Sequence, residues 1–442
     1  MIDISRRNFF RRSLQGSAGL AGAFAFSEVF QAQVKAPVEI ASSSLHSGKY
    51  LKLHAGFQDH LVSESGQPMS DGYATPERPD GMGCFDLGDG RMVLMRNHEI
   101  FMESCPKGLE SFAYDPTFGG GVTRLVFDAE MNLLKSHYAL VGTAVNCAGG
   151  ISPWGWLSCE EAFSRKHGFV FLCDPFAESI QMPQRIAAYG KFVHEAAVVN
   201  PISKIAYMTE DQVDSCFYRF IPDAKGALPT DAFQMGDSKP GGRLQALALA
   251  DADQRGSFDV NKIASGDSLA AVWIDLPNFK NDPAAVKDVL RSEAIKQGAL
   301  VFRRGEGLWL HKGVVYFSAT SGGREGQGQI FSVKLSEEKK DGLTSENLCE
   351  LRLLAQAVDH NISAPDNITI GPNGCLYICE DNGSGNHIYV LKPNGQSILL
   401  ARNDRSSSEF AGACFDPTGQ HLFVNLQEEG LTLRITGDFS QF

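Results

Sequence analysis

Acidic residues stand at the polar ends of short apolar segments at several points along the chain. They are Glu99, Glu160 with Glu161, Glu210 and Glu380. Carboxylates that converge in a partly desolvated site raise one another's pKa, so they take up protons or bind a cation. Their oxygens suit hard cations such as calcium. A single acid of this kind could simply face water, but the repeated set favours a metal site.

A cysteine and an arginine lie in segments that could complete such a site. Cys147 precedes an Ala-Gly-Gly turn, which lets backbone approach closely, and a thiolate among carboxylates selects a transition metal over calcium. Arg304 and Glu306 are two residues apart and share a face if the segment is a strand. The positive charge of Arg304 then lies beside a metal-ligating carboxylate, an arrangement that suits an oxyanion bound to a metal. The alternatives are a structural cysteine and an Arg–Glu ladder on the surface.

The acids belong to a repeated pattern of a turn, a short apolar strand and polar residues at the strand end. Six copies begin at Met92, Trp156, Ala206, Val315, Leu376 and Leu422. Six copies of one β unit predict an all-β fold, a six-bladed β-propeller with insertions. Equivalent strand ends then gather at one mouth of the channel, which would bring the acids together. A β-sandwich with repeated strand patterns is the alternative.

Two segments depart from the β pattern. Ala224–Asp267 is polar and Gly-rich, and we expect it to be an insertion on the surface. Pro283–Gln297 has helical patterning and follows Asp282, a residue suited to a helix N-cap.

The composition is that of an acidic globular protein. Apolar residues make up 43% of the chain and charged residues 21%, and the net charge is -12. Without a block of Lys or Arg, this charge argues against a nucleic-acid partner. The ten cysteines contain no CxxC pair and no zinc spacing, so we expect most to be buried small apolar residues.

The N-terminal segment has the features of an export signal. A twin-arginine (Tat) motif at Ser5–Arg11 precedes a weakly apolar run, Leu14–Phe26, which is too short for a stable membrane anchor. We therefore expect residues 1–34 to be a Tat signal peptide with a short linker, and residues 35–442 to be a single propeller domain. The mature protein would be periplasmic or secreted after passing the Tat translocon.

The motifs, in their joint order, resemble the PhoX alkaline phosphatase family. The resemblance spans about residues 78–430. It rests on RNHE (Arg96–Glu99), NCAGG and PWGWLSCEE (within Asn146–Glu161), HEAAVV (His194–Val199), TED (Thr209–Asp211), FRRGEG (Phe302–Gly307), APDNI (Ala364–Ile368), CED (Cys379–Asp381) and FAG (Phe410–Gly412).

This resemblance implies a six-bladed propeller that hydrolyses small phosphate monoesters with a cluster of ferric iron and calcium ions. Cys147 would bridge the irons, Glu195 and Glu306 would be among the carboxylate ligands, and Arg304 would grip the phosphoryl oxygens. Five further acids would complete the iron and calcium shells: Glu99, Glu161, Glu210, Asp366 and Glu380. A monomer without a nucleic-acid partner or stable membrane anchor is expected.

The chain departs from the family pattern at one phosphate contact. The family carries a lysine shortly before NCAGG, whereas the nearest lysine here is Lys135. Two alternatives to a phosphomonoesterase therefore stay open: a calcium-dependent propeller hydrolase of another ester class, such as a lactonase or phosphodiesterase, and a non-catalytic anion-binding propeller. Cys147 discriminates between them, because a purely structural calcium has no use for a thiolate.

Overall fold

Six antiparallel β units follow one another along the chain in the computed structural model. The structure describes residues 45–101, 103–164, 166–223, 241–276, 288–335, 347–383 and 385–442. The predicted export signal lies outside these residues. Within them, no helix is long and apolar enough to span a membrane.

The strands of the N-terminal half form the first three blades. Before blade 1 come β1 (Leu45–Ser47), β2 (Lys52–His54) and β3 (Gln58–Glu64). Blade 1 contains β4 (Pro79–Asp86), β5 (Met92–His98), β6 (Gly120–Phe127) and β7 (Leu133–Thr143). Blade 2 contains β8 (Gly150–Ser152), β9 (Gly155–Cys159), β10 (Val170–Cys173) and β11 (Gln184–Ile186). Blade 3 contains β12 (His194–Val199), β13 (Ala206–Glu210), β14 (Tyr218–Pro222) and β15 (Gly242–Leu249), and β16 (Ser268–Asp275) extends it.

The C-terminal half forms the other three blades. Blade 4 contains β17 (Gly305–His311), β18 (Val314–Ala319), β19 (Gln329–Leu335) and β20 (Leu348–Gln356). Blade 5 contains β21 (Pro365–Ile370), β22 (Leu376–Glu380), β23 (His387–Leu391) and β24 (Ser397–Arg402). Blade 6 contains β25 (Phe410–Phe415), β26 (His421–Leu426) and β27 (Leu431–Thr436). The α-helices are α1 (Val289–Lys296) and α2 (Ala357–His360), with 3-10 turns at Ala187–Tyr189, Ala252–Gln254, Val260–Lys262 and Phe439–Gln441.

Pairing between distant strands closes the ring and joins its blades. β3 pairs with β27, so an N-terminal strand completes blade 6. β1 and β2 extend blade 5 by pairing onto β24. β16 pairs with both β15 and β20, which makes one nine-stranded sheet of blades 3 and 4. The predicted six-bladed, all-β propeller is therefore confirmed.

Face-to-face packing of the blades explains why most of the first and second strands are apolar on both faces. Every residue of β5 and of β22 is buried, as expected for strands covered on two sides. Between blades 3 and 4, the Phe217 and Phe317 rings stack with centroids 4.3 Å apart, and Phe331 lies 5.2 Å from Phe317. All ten cysteines are buried and none is in a disulfide, as their scattered spacing predicts.

The predicted surface insertion is wrong in part. Residues 224–240 lie outside the described residues, but Gly242–Leu249 is strand β15, with its last five residues buried. The Gly-rich, polar neighbourhood concealed the apolar residues of this short strand. The predicted helix is present as α1, while Pro283 and its proposed cap Asp282 lie outside the described residues.

Candidate metal centre

One position recurs in the first strand of every blade, or just before it, and its residue types are those of metal ligands. The position is defined by antiparallel pairing. In each blade, the residue directly before it pairs with a residue near the end of the second strand, as Pro79 pairs with His98 and His194 with Glu210. We call these six the inner positions. They are Asp80, Cys147, Glu195, Glu306, Asp366 and Ala411. Five of the six therefore carry a carboxylate or a thiol.

A β-bulge contains the inner position in four blades and directly follows it in blade 6. The register shifts occur between Pro79 and Met82, His194 and Ala197, Gly305 and Leu308, Pro365 and Ile368, and Ala411 and Cys414. A bulge bends its strand and re-aims the neighbouring side chain. The same local irregularity therefore places an inner side chain at the same point in each of these blades.

Glycine or alanine follows the inner position in five of the six blades, because the first strands nearly touch one another. A Cβ on Gly81 would lie 1.7 Å from the Ala148 carbonyl oxygen, and one on Gly412 would lie 2.1 Å from that of Asp80. Gly307 faces the Asp366 carbonyl in the same way. This close approach of backbone draws the inner positions together around the axis.

A second ring of residues follows the second strand of each blade, directly after the residue paired as above. We call these the strand-end positions: Glu99, Glu161, Asp211, Thr320, Asp381 and Gln427. Four of the six are acids. Inner and strand-end positions of one blade lie side by side, so together they surround the mouth with carboxylates.

Nine side chains from these positions and one neighbouring loop form four contiguous groups. In each group the ligand atoms lie within 4.8 Å of one another. The groups are Asp80, Glu99 and Cys147; Cys147, Glu161 and Glu195; Glu195, Glu306 and Asp366; and Asp366, Asp381 and Glu409. Consecutive groups share a residue, so the arrangement is one continuous line of donors with room for several ions.

The acids of this line resist ionisation without a counter-charge. Burial, together with the charges of Glu99 and Asp366, holds the pKa of Asp80 well above its ordinary value. Burial and the neighbouring acids likewise raise the pKa of Glu306, and burial raises that of Asp366 to about 6. Asp80 is only 3% exposed, and within the described residues its Oδ1 has no hydrogen-bond partner. Bound cations would stabilise the ionised acids and would give Asp80 Oδ1 a partner, so the donor set fits metal ions.

Cys147 lies at the junction of the first two groups on a tightly held turn. Asn97 donates its side-chain N–H to the Cys147 carbonyl, and Trp156 Nε1 donates to Asn97 Oδ1 at 2.8 Å. The Cys147 Sγ donates to Glu161 Oε2 at 2.9 Å. Val145, just before the turn, has a left-handed φ of 52°. The backbone is thus held in an unusual conformation that delivers the sulfur to the acids.

Arg304 is the cation nearest the third group. Its Nε donates to Asp211 Oδ1 at 2.9 Å, and its Nη2 donates to Glu306 Oε1 at 2.6 Å. The side chain is 22% exposed, so it can meet a molecule that enters the mouth. Lys135, by contrast, donates to the Glu178 carbonyl and takes no part in these groups.

The structure brings together six of the eight predicted metal ligands: Glu99, Cys147, Glu161, Glu195, Glu306 and Asp366. Glu210 and Glu380 belong to none of the four groups. Glu210 pairs with Arg291 at 2.6 Å and accepts from the Tyr218 hydroxyl. Glu380 accepts from His387 and from the Ser363 N–H. Both lie one residue before a strand-end position, so the alternation of the strand turns them away from the line.

Three residues of the line were missed: Asp80, Asp381 and Glu409. Asp80 carries a usable signal, because at both Asp80 and Asp366 a Pro-Asp pair is followed, after one residue, by a long apolar residue. Asp381 stands beside Glu380, and the choice between two consecutive acids depends on strand register. Glu409 comes from the loop before β25, where its sequence gives no signal.

The chain is similar to known proteins both in its sequence profile and in its fold. The family profile described as alkaline phosphatase PhoX matches residues 120–430. Pseudomonas fluorescens PhoX in complex with vanadate, a transition state analogue, is 16% identical, with a TM-score of 0.67 over 91% of this chain and 98% of that chain. A gluconolactonase from Xanthomonas campestris is 14% identical, with a TM-score of 0.37 over 86% of this chain and 100% of that chain. No curated protein sequence matches the chain.

Proposed function

The chain belongs to the alkaline phosphatase PhoX family and is a metal-dependent phosphatase, and we propose that it hydrolyses phosphate monoesters at the line of donors around the propeller axis. The observation that carries this proposal is the four contiguous groups of carboxylates, with one thiol, at the inner and strand-end positions. Family membership favours phosphoric esters over lactones and over a purely binding role.

The donor types suggest which ions the groups hold. The first two groups share the Cys147 sulfur, a soft ligand that suits ferric iron among carboxylates. The third and fourth groups contain only oxygen donors, which suit calcium. We therefore propose iron on the Cys147 side of the line and calcium on the Asp366 side. Glu210 and Glu380, with their other partners, are not proposed as ligands.

The bound ions would supply Lewis-acid polarisation of the phosphoryl group. Around them, this chain's own residues would orient the substrate. Asp211 and Glu306 accept from the Nε and Nη2 of Arg304, so the guanidinium would turn its Nη1 edge toward the phosphoryl oxygens. Asp211 and Glu306 hold the guanidinium in place. Burial of the acids keeps the local dielectric low, which strengthens each of these contacts.

Removal of the ions should abolish activity and lower the melting temperature together. Stripped of cations, the buried acids repel one another, and each ion held at about 1,000 times its Kd stabilises the fold by about 4 kcal/mol. The test follows p-nitrophenol release and thermal unfolding before chelation, after chelation and after calcium is restored. Full activity and an unmoved melting temperature in chelator would contradict the metal-dependent mechanism.

Export should depend on the arginine pair in Ser5–Arg11. We propose that the protein crosses the membrane through the Tat translocon, acts in the periplasm or outside the cell, and works there as a monomer. Changing Arg6 and Arg7 together to Lys should leave precursor in the cytoplasm, which cell fractionation and immunoblotting would measure. Undiminished protein in the periplasmic fraction of the double variant would show that another route is used.

A further inference from the structure

Arg78 occupies the same position in blade 1 that Arg304 occupies in blade 4. Each arginine lies two residues before an inner position, Asp80 and Glu306 respectively. We call this the lead-in position of a blade. The two blades are three apart in a ring of six, so they lie on opposite sides of the axis.

The backbone at the two lead-in positions is also the same. Arg78 and Arg304 both have a left-handed φ, 47° and 58°, which is uncommon for a residue with a side chain. The Arg78 carbonyl accepts from the Glu99 N–H at 3.0 Å, and the Arg304 carbonyl accepts from the Thr320 N–H at 2.9 Å. Glu99 and Thr320 are the strand-end residues of the same two blades. The two side chains therefore leave equivalent backbone.

Both guanidinium groups reach the strand-end residue of the preceding blade. Arg304 donates to Asp211 of blade 3, and Arg78 Nη2 donates to Gln427 Oε1 of blade 6. Arg78 Nη2 also donates to Glu99 Oε2 at 3.1 Å, so it borders the first group of the line. Each arginine thus flanks the donors from its own side.

The partners of Arg78 leave more of its donors available than those of Arg304. One of its two side-chain acceptors is a neutral amide, and its buried Nε has no hydrogen-bond partner among the described residues. The side chain is 30% exposed. Its guanidinium lies over the Phe101 ring, 5.2 Å from the centroid. Stacking on an aromatic face orients a guanidinium without using its in-plane donors.

We propose that Arg78 is a substrate-binding residue that contacts the phosphoryl group from the side opposite Arg304, so that the phosphate ester is held between two arginines. The inference rests on the proposed function, since it concerns the same site and the same substrate class. The left-handed backbone is common to the lead-in positions of four blades, since Val145 and Ala364 also have a positive φ, and blades 1 and 4 use it to present an arginine.

The test compares Arg78→Ala, Arg78→Lys and Arg91→Ala with the wild type, all metal-loaded. Arg91 is a matched control: it lies at the other end of β4 and β5, where it pairs with exposed Asp89. Isothermal titration with inorganic phosphate, KM and kcat for p-nitrophenyl phosphate, and metal content are measured. Loss of a charged hydrogen bond predicts that the phosphate Kd and the KM rise about tenfold to a hundredfold in Arg78→Ala. The kcat should change less, because Arg78 would contact the phosphoryl group in the bound substrate as well as in the transition state.

The outcomes separate this inference from the proposed function. A wild type that binds phosphate through Arg78 without turning over the ester would refute the phosphatase assignment alone. Unchanged phosphate Kd in Arg78→Ala, with an active wild type, would overturn the role of Arg78. Loss of bound metal in Arg78→Ala would also overturn it, by showing that Arg78 serves Glu99 and not the substrate. Arg78→Lys should recover part of the affinity, since it keeps the charge without the planar edge.

Discussion

Cys147→Ser should lose iron, visible colour and phosphatase activity together while the propeller stays folded. A thiolate bound to ferric iron gives a charge-transfer absorption, and a serine hydroxyl neither ionises readily nor suits the softer bond. Because Cys147 is shared by the first two groups, one substitution weakens both. Circular dichroism should be unchanged, since the blades and the oxygen-only groups remain. Absorption spectra, elemental analysis and p-nitrophenyl phosphate turnover measure the three losses.

Cys173→Ser is the matched control for this variant. Cys173 is also buried and lies in blade 2, at the end of β10 where it pairs with Trp156, but it belongs to none of the four groups. It should keep its iron and its colour. A Cys147→Ser protein with full activity would contradict the account most severely, because the relation to PhoX would then be one of fold without shared chemistry.

Arg304→Ala should keep its metals and lose about 10²–10³ in kcat, the scale of losing one donor to charge that develops in the transition state. Asp211 and Glu306 hold the Arg304 guanidinium in place, and alanine has no group that could replace it. The metals should stay, because the variant removes a positive charge from beside the acids and leaves every donor in place. Steady-state kinetics and elemental analysis on the same preparation test both parts.

Arg304→Lys and Arg243→Ala complete this comparison. Lysine keeps the charge without the planar edge, so its kcat should fall between the wild type and alanine. Arg243 pairs with Asp275 at 3.7 Å on an exposed part of β15, and its loss should leave kcat unchanged. If Arg304→Ala instead lost its metals, Arg304 would be holding Glu306 in place and not binding the phosphoryl group.

The architecture was predictable because each copy of the sequence repeat corresponds to one blade of the propeller. Each apolar strand of the repeat is the second strand of a blade, and its burial on both faces explains its run of apolar residues. The six copies therefore gave the number of blades. The closure of blade 6 by β3 was not visible, since that strand is paired across almost the whole chain. Long-range pairing of this kind leaves no local pattern.

The acids at the ends of the second strands were predictable to within one residue of strand register. At Glu210–Asp211 and Glu380–Asp381 two acids are consecutive, and alternation sends them to opposite sides of the strand. The sequence favoured the first of each pair, whereas the pairing His194↔Glu210 and Pro365↔Glu380 makes the second the strand-end residue. Bulges at the inner positions set the direction of four further ligands, and a bulge has no reliable sequence signal.

The equivalence of blades connects fold and chemistry. One inner position, one strand-end position and one lead-in position recur six times, and different residues fill them from blade to blade. Blade 2 places a thiol at its inner position, and blades 1 and 4 place arginines at their lead-in positions. The scaffold repeats the same backbone positions in each blade, whereas the set of side chains at the centre is asymmetric.

The most direct test of the central claim is elemental analysis of the protein purified after native export, with a phosphomonoesterase assay on the same sample. The account predicts that iron and calcium are both bound in stoichiometric amounts and that the sample is coloured and hydrolyses p-nitrophenyl phosphate. An active, colourless protein without iron would contradict the assignment of Cys147 to an iron site. An active protein with no bound metal at all would contradict the proposed centre as a whole.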